Sequence, residues 1–140
     1  MDVMTFFKVF SACLAISFLF LPAAHASDAC DHVSRIGDAT ERNSFRAYVT
    51  GALTQPPNPA QVTITDVLQQ APWTIVGAEI PDADGVGYFL YQAEGTKQLF
   101  YGIWGGMADP SESGEVATWA TDQGAPPELA RCFASIATGE

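Results

Sequence analysis

Between Trp73 and Trp104 three apolar runs are separated by turns of only a few residues, and this spacing constrains the fold more than any other feature. The runs are Trp73–Ile80, Tyr88–Gln92 and Leu99–Trp104. Between them lie Pro81-Asp82-Ala83-Asp84-Gly85 and Glu94-Gly95-Thr96, and Gly105-Gly106 closes the set. Parallel neighbours would need a crossover of a dozen or more residues, so short turns of this composition predict antiparallel hairpins. Upstream, Val62-Thr63-Ile64-Thr65 alternates briefly. Either it is a fourth strand, or Thr65 caps a short helix over residues 66–70; the sequence leaves both open.

Simple alternation predicts which side chains share a face. Tyr88 and Leu90 point one way, Phe89 and Tyr91 the other; Leu99, Tyr101 and Ile103 point one way, Phe100 and Trp104 the other. A sheet with one wet face alternates apolar with polar residues. Here both faces are apolar, so either helices cover both sides or one face meets a partner.

Helical patterns flank the strands. Ala29, Val33 and Ile36 fall on one helical face, with Gly37 as a stop. Asp38-Ala39-Thr40-Glu41 has the form of a capping box. Behind it Phe45, Tyr48, Val49, Ala52 and Leu53 follow amphipathic helical spacing, with Arg42 and Arg46 expected on the solvated side. Pro56, Pro57 and Pro59 end that helix. After the strands, Val116, Trp119 and Ala120 predict one helix, stopped by Gly124. Leu129, Cys132, Phe133 and Ile136 predict another, begun at Pro126-Pro127. The expected fold is therefore α+β: a small antiparallel meander of three to four strands packed with N- and C-terminal helices in two layers.

The first 26 residues read as a signal peptide. Lys8 precedes an uncharged stretch from Val9 to Leu21, thirteen residues, too short for the roughly 20 that span a membrane. Pro22 and Ala24-His25-Ala26 follow, the latter at A-x-A spacing, so the exported chain is expected to start at Ser27 and to form one domain over 27–140. Cys13 leaves with this segment. Cys30 and Cys132 remain, 102 positions apart, and in an oxidising compartment they are expected to form one disulfide. Localisation is expected to be periplasmic or secreted, without a stable membrane anchor after processing.

The charge narrows the functional classes. Six Lys and Arg stand against 16 Asp and Glu, a net charge of -10. Electrostatic grip on nucleic acid or anionic lipid needs clustered cations, so neither is expected. The 48% apolar content is enough for a packed core.

No catalytic set emerges. His32 is the one histidine outside the signal segment, and no serine lies in G-x-S-x-G. Asp82-Ala83-Asp84-Gly85 resembles the opening of a calcium loop, but the twelfth position is Ala93 instead of Glu, and turn chemistry explains the residues. Glu112 with Glu115, or Asp82 with Asp84, are the nearest thing to an acid–base pair, in a chain where acidic neighbours are common. No metal and no cofactor is expected, and the balance leans against an enzyme.

Three functions remain, in order. The first is a small exported, disulfide-stabilised, acidic, non-enzymatic interaction protein of the cell envelope, of inhibitor, immunity or accessory type, whose charge would steer a basic protein partner. The second is a small-molecule binder using an aromatic sheet face, lined by Trp73, Tyr88, Tyr91, Tyr101 and Trp104. The third is a small enzyme with a carboxylate site.

Overall fold

The computed structural model describes residues 28–140. The expected signal peptide over residues 1–26 and the expected start at Ser27 lie outside the described residues. A five-stranded antiparallel sheet runs in sequence order, β1 (Ser34–Arg35), β2 (Thr63–Gln70), β3 (Trp73–Glu79), β4 (Val86–Glu94) and β5 (Lys97–Trp104). Helices α1 (Ala39–Asn43) and α2 (Arg46–Ala52) precede β2. Helices α3 (Ser113–Asp122) and α4 (Pro127–Thr138) follow β5. The architecture is the expected meander with terminal helices, with five strands where three to four were expected.

Two segments depart from the sequence expectation. Residues 28–36 form a turn and the short strand β1, not a helix. Ser34 and Arg35 pair with Gln69 and Leu68, and the Ile36 amide donates to the Val67 carbonyl at 3.1 Å. So short a helix barely repays its nucleation cost, and pairing with β2 offers the backbone better bonds. The helix behind the capping signal is also broken in two. Asp38 is the N-cap and accepts from the Glu41 amide at 2.8 Å. At Ser44 both the amide and the hydroxyl turn back onto the Glu41 carbonyl, which tightens the turn and ends α1. The choice at Thr65 falls to strand, because pairing with β3 runs from Thr63↔Glu79 to Gln70↔Trp73.

The sheet is covered on both sides, so the domain has three layers, not two. On one face Leu68, Ile75, Tyr88 and Leu90 pack against Val116, Ala120, Leu129 and Phe133 of α3 and α4. On the other, Val67, Val76, Phe89 and Tyr91 pack against Phe45 and Val49. Gly77 is required on the first face: a Cβ there would stand 2.8 Å from the Thr65 hydroxyl and 3.0 Å from the Tyr88 ring.

Cys30 and Cys132 are joined. Cys132 is fully buried on the inner stripe of α4, so the bridge ties the N-terminal turn to the terminal helix through the α3–α4 core. Arg42 and Arg46, expected in solvent, are instead half-buried. Arg42 Nη1 donates to the Gly37 carbonyl at 2.8 Å, and Arg46 Nε to the Val62 carbonyl at 2.8 Å. Both guanidinium groups satisfy loop carbonyls that have no ladder partner.

Candidate functional site

β5 is the last strand of the sheet. Its inner edge pairs with β4, and its outer edge has no strand beside it among the described residues. Edge strands are normally blunted by charge, proline or shortness. β5 is eight residues long, contains no proline and carries one charge, Lys97 at its start. Large apolar side chains are exposed along it: Leu99 at 36%, Phe100 at 42%, Tyr101 at 37% and Ile103 at 41%. Met107, just beyond, is at 96%. Among the described residues, no other large hydrophobic side chains are as exposed.

A bulge sets the direction of these side chains. The register jumps between Leu90↔Gly102 and Tyr91↔Phe100, which leaves Tyr101 as the extra residue. Alternation therefore fails at this point, and the expected grouping of Leu99, Tyr101 and Ile103 is corrected. Tyr101 turns to the α3–α4 side. Its ring lies 4.9 Å from that of Trp73, and its hydroxyl donates to Gln92 Oε1 at 2.7 Å. Leu99, opposite Gln92, and Trp104, opposite Tyr88, share that side; Trp104 meets Trp119 at 5.9 Å. Phe100 and Ile103 take the α2 side. Phe100 lies 5.6 Å from Tyr91 and 6.3 Å from Phe89, and Ile103 stands opposite Phe89.

The five aromatic residues expected to line one face do not form one site. Trp73, Tyr88 and Tyr91 are buried, at 7%, 6% and 3%, and belong to cores on opposite sides of the sheet. Tyr101 and Trp104 reach the surface on β5. The exposed residues that alternation did not single out are Leu99, Phe100 and Ile103. The available signal was position: they lie on the last apolar run, followed by Gly105-Gly106 and helix, with no further strand to cover that edge.

Beside β5 on the α2 side is a groove of about 260 Å³, between the small residues Ala47, Gly51 and Ala52 and the rings of Tyr48 and Phe100. Tyr91 forms its floor, with its hydroxyl donating to the Tyr48 carbonyl at 2.8 Å.

Burial pushes the Tyr88 phenol up to about 12, with the nearby Asp66 carboxylate adding to the effect. Tyr91 is shifted in the same direction, mainly by burial. Both groups are neutral in the fold and ionise more readily when unfolded. Their contribution is complete below the ordinary tyrosine value of about 10 and is lost as pH rises from there towards 12. Urea midpoints should therefore fall between pH of about 9 and about 11, with phenolate absorbance growing together with unfolding. Phenolate absorbance that saturates in the folded protein near pH of about 10 would contradict this assignment.

The other polar residues read from the sequence do not converge. His32 is exposed on the turn after Cys30, in a polar hollow of about 380 Å³ with Asp28, Asp31, Glu128 and Arg131. Glu112 is engaged in a cap, accepting from the Asp109 amide at 2.7 Å. The Asp109 carboxylate accepts from Ser111, which holds it below its ordinary value. Glu115 is exposed on α3, and Asp82 and Asp84 occupy the β3–β4 turn, where Asp82 takes a positive φ of 66°. Among the described residues no three His, Cys, Asp or Glu side chains come together as a metal site.

Comparison with known protein families, curated proteins and solved structures finds no match for this chain. The class of protein is therefore defined by its own geometry: a disulfide-stapled α+β domain with a double-covered sheet and one open, apolar edge.

Proposed function

We propose that this is a non-enzymatic interaction protein of the cell envelope, periplasmic or secreted, that docks a protein partner along β5. The observation that carries the reading is the contrast within one sheet. Helices cover both faces over β2–β4, whereas β5 leaves Leu99, Phe100, Tyr101 and Ile103 open to water. A long, nearly uncharged edge offers unpaired backbone groups and apolar side chains together, which is how an added strand is recognised. The Cys30–Cys132 bridge is compatible with an oxidising compartment, and no described helix is long and apolar enough to cross a membrane.

The groove between α2 and Phe100 supports a second reading, a small apolar ligand. At about 260 Å³ it is small beside the ~300–1,000 Å³ usual for ligand pockets, so it ranks second. The net charge of -10 would steer a basic partner, although such a partner meets no carboxylate between Gly95 and Ala108.

The test is capture from envelope extract with wild-type and Ile103→Glu protein as bait. Ile103 is 41% exposed, so the variant should melt within about 2 °C of wild type while losing its captured protein, another copy of the chain included. Equal capture by both baits would remove β5 as the docking surface.

A further inference from the structure

We propose that the partner seated on β5 is a second copy of this chain, joined by antiparallel pairing of two β5 strands about a two-fold axis between Tyr101 and Gly102. This rests on the reading of β5 as a protein-docking edge and names its occupant.

The bulge supplies the first argument. Along β5, Leu99, Tyr101, Gly102 and Trp104 lie on the α3–α4 side, and Phe100 and Ile103 on the α2 side. Read outward from the midpoint between Tyr101 and Gly102, the order of faces is the same in both directions. Directly opposed residues in an antiparallel pair share a face. A two-fold axis at that midpoint therefore sets Phe100 opposite the second copy's Ile103 and Leu99 opposite the second copy's Trp104. Tyr101 falls opposite the second copy's Gly102, a ring against a position without a side chain. A shift of one residue would set Phe100 opposite Gly102 and turn apolar side chains to opposite faces, so the bulge selects the register. A symmetric dimer uses the same patch twice, and this patch is complementary to itself.

Charge supplies the second argument. The chain carries 16 Asp and Glu, yet residues 95–108 contain none, and their one charge is Lys97. Two copies at -10 repel at long range, but their contact strip is free of carboxylates, and salt screens the remainder beyond about 8 Å. The strand ends at Trp104, so in the same register Lys97 lies past the end of the second copy's β5, two residues beyond the Leu99–Trp104 pair, on the side where the chain turns at Gly105-Gly106 towards Asp109, the first acid after the strand. The two-fold axis repeats this placement at both ends. A basic strand laid on β5 would find no carboxylate there and would meet Lys97 as a like charge.

Sedimentation equilibrium of the full chain, expressed for export and purified with its disulfide intact, tests the proposal. Wild type should show a concentration-dependent dimer, and Ile103→Glu should sediment as a monomer. The register is tested by mixing Phe100→Cys chains with Ile103→Cys chains under mild oxidation. Opposed Cα atoms lie about 5 Å apart, within disulfide reach. The mixture should give a covalent dimer, whereas Phe100→Cys alone should not: Phe100 and Ile103 oppose Tyr91 and Phe89, so the two copies' positions 100 would be offset by about 7 Å along the strands, with Cα atoms about 8 Å apart, beyond disulfide reach. The cysteine mixture decides the matter even if Ile103→Glu proves unstable. A wild-type monomer up to roughly 100 μM overturns the second copy as occupant. A dimer that persists in Ile103→Glu overturns β5 as its seam. A monomeric wild type whose envelope capture is lost in Ile103→Glu leaves β5 a docking edge for a different protein. A monomer whose capture is unchanged by Ile103→Glu ends both readings.

Discussion

Replacing both bridged cysteines, Cys30→Ala with Cys132→Ala, should lower the melting temperature by about 10–20 °C. Losing a native disulfide from a small exported domain costs roughly 2–5 kcal/mol, and a domain of this size loses roughly 4 °C per kcal/mol. The bridge closes a separation of 102 residues, which constrains nearly the whole unfolded chain, so the effect should lie in the upper part of that range. The site adds a packing cost. Cys132 is fully buried beside Leu129 and Phe133, and Cys30, together with Val33, brings the N-terminal turn into that core. Calorimetry of the double variant, and of wild type with and without reductant, measures it. A change of under about 3 °C would mean that the helices hold the N-terminal turn without the bridge. Two free thiols in the unfolded, unreduced protein would reject the bridge itself.

Tyr91→Ala should destabilise the protein by about 3–5 kcal/mol, as large aromatic truncations in cores do. The ring is 3% exposed and packed between Tyr48 at 5.3 Å and Phe100 at 5.6 Å. Its hydroxyl answers the Tyr48 carbonyl, so Tyr91→Phe should itself cost about 1–3 kcal/mol by leaving that acceptor without its donor. Tyr101→Ala is the control. Tyr101 sits on the open edge, and its loss should cost about 1 kcal/mol, from one ring contact and one exposed hydrogen bond. Urea denaturation of the three variants separates core from edge. If Tyr91→Ala unfolds at the wild-type midpoint, the α2 side of the sheet is not a core, and its aromatic residues return as binding candidates.

Much of the fold was legible because its signals are local. Turn residues at 81–85 and 94–96 mark the hairpins. The stripe of Leu129, Cys132, Phe133 and Ile136 marks α4, and Cys30 with Cys132 marks the bridge. Each depends on spacing along one short stretch of chain, and in each the tertiary structure asks for what local chemistry already prefers. The double apolar character of the sheet was equally readable, since it follows from which residues alternate.

What that character meant was not readable. An apolar strand residue has the same pattern whether a helix covers it or water does. Tyr88 and Tyr91 became core because α3, α4 and α2 lie over β3 and β4, and Leu99, Phe100, Tyr101 and Ile103 became surface because β5 is the outermost strand. The bulge at Tyr101 also arises from pairing with β4, and it exchanges the faces that simple alternation assigns. Residues 28–36 gave up a weak helical pattern to pair with β2, some thirty residues further along the chain. The sequence by itself determined strands β3 to β5 with their antiparallel hairpins, helices α3 and α4, and the staple, because these rest on neighbours in the chain. Only the tertiary structure decided which aromatic residues meet water, because burial depends on which distant segment lies on top.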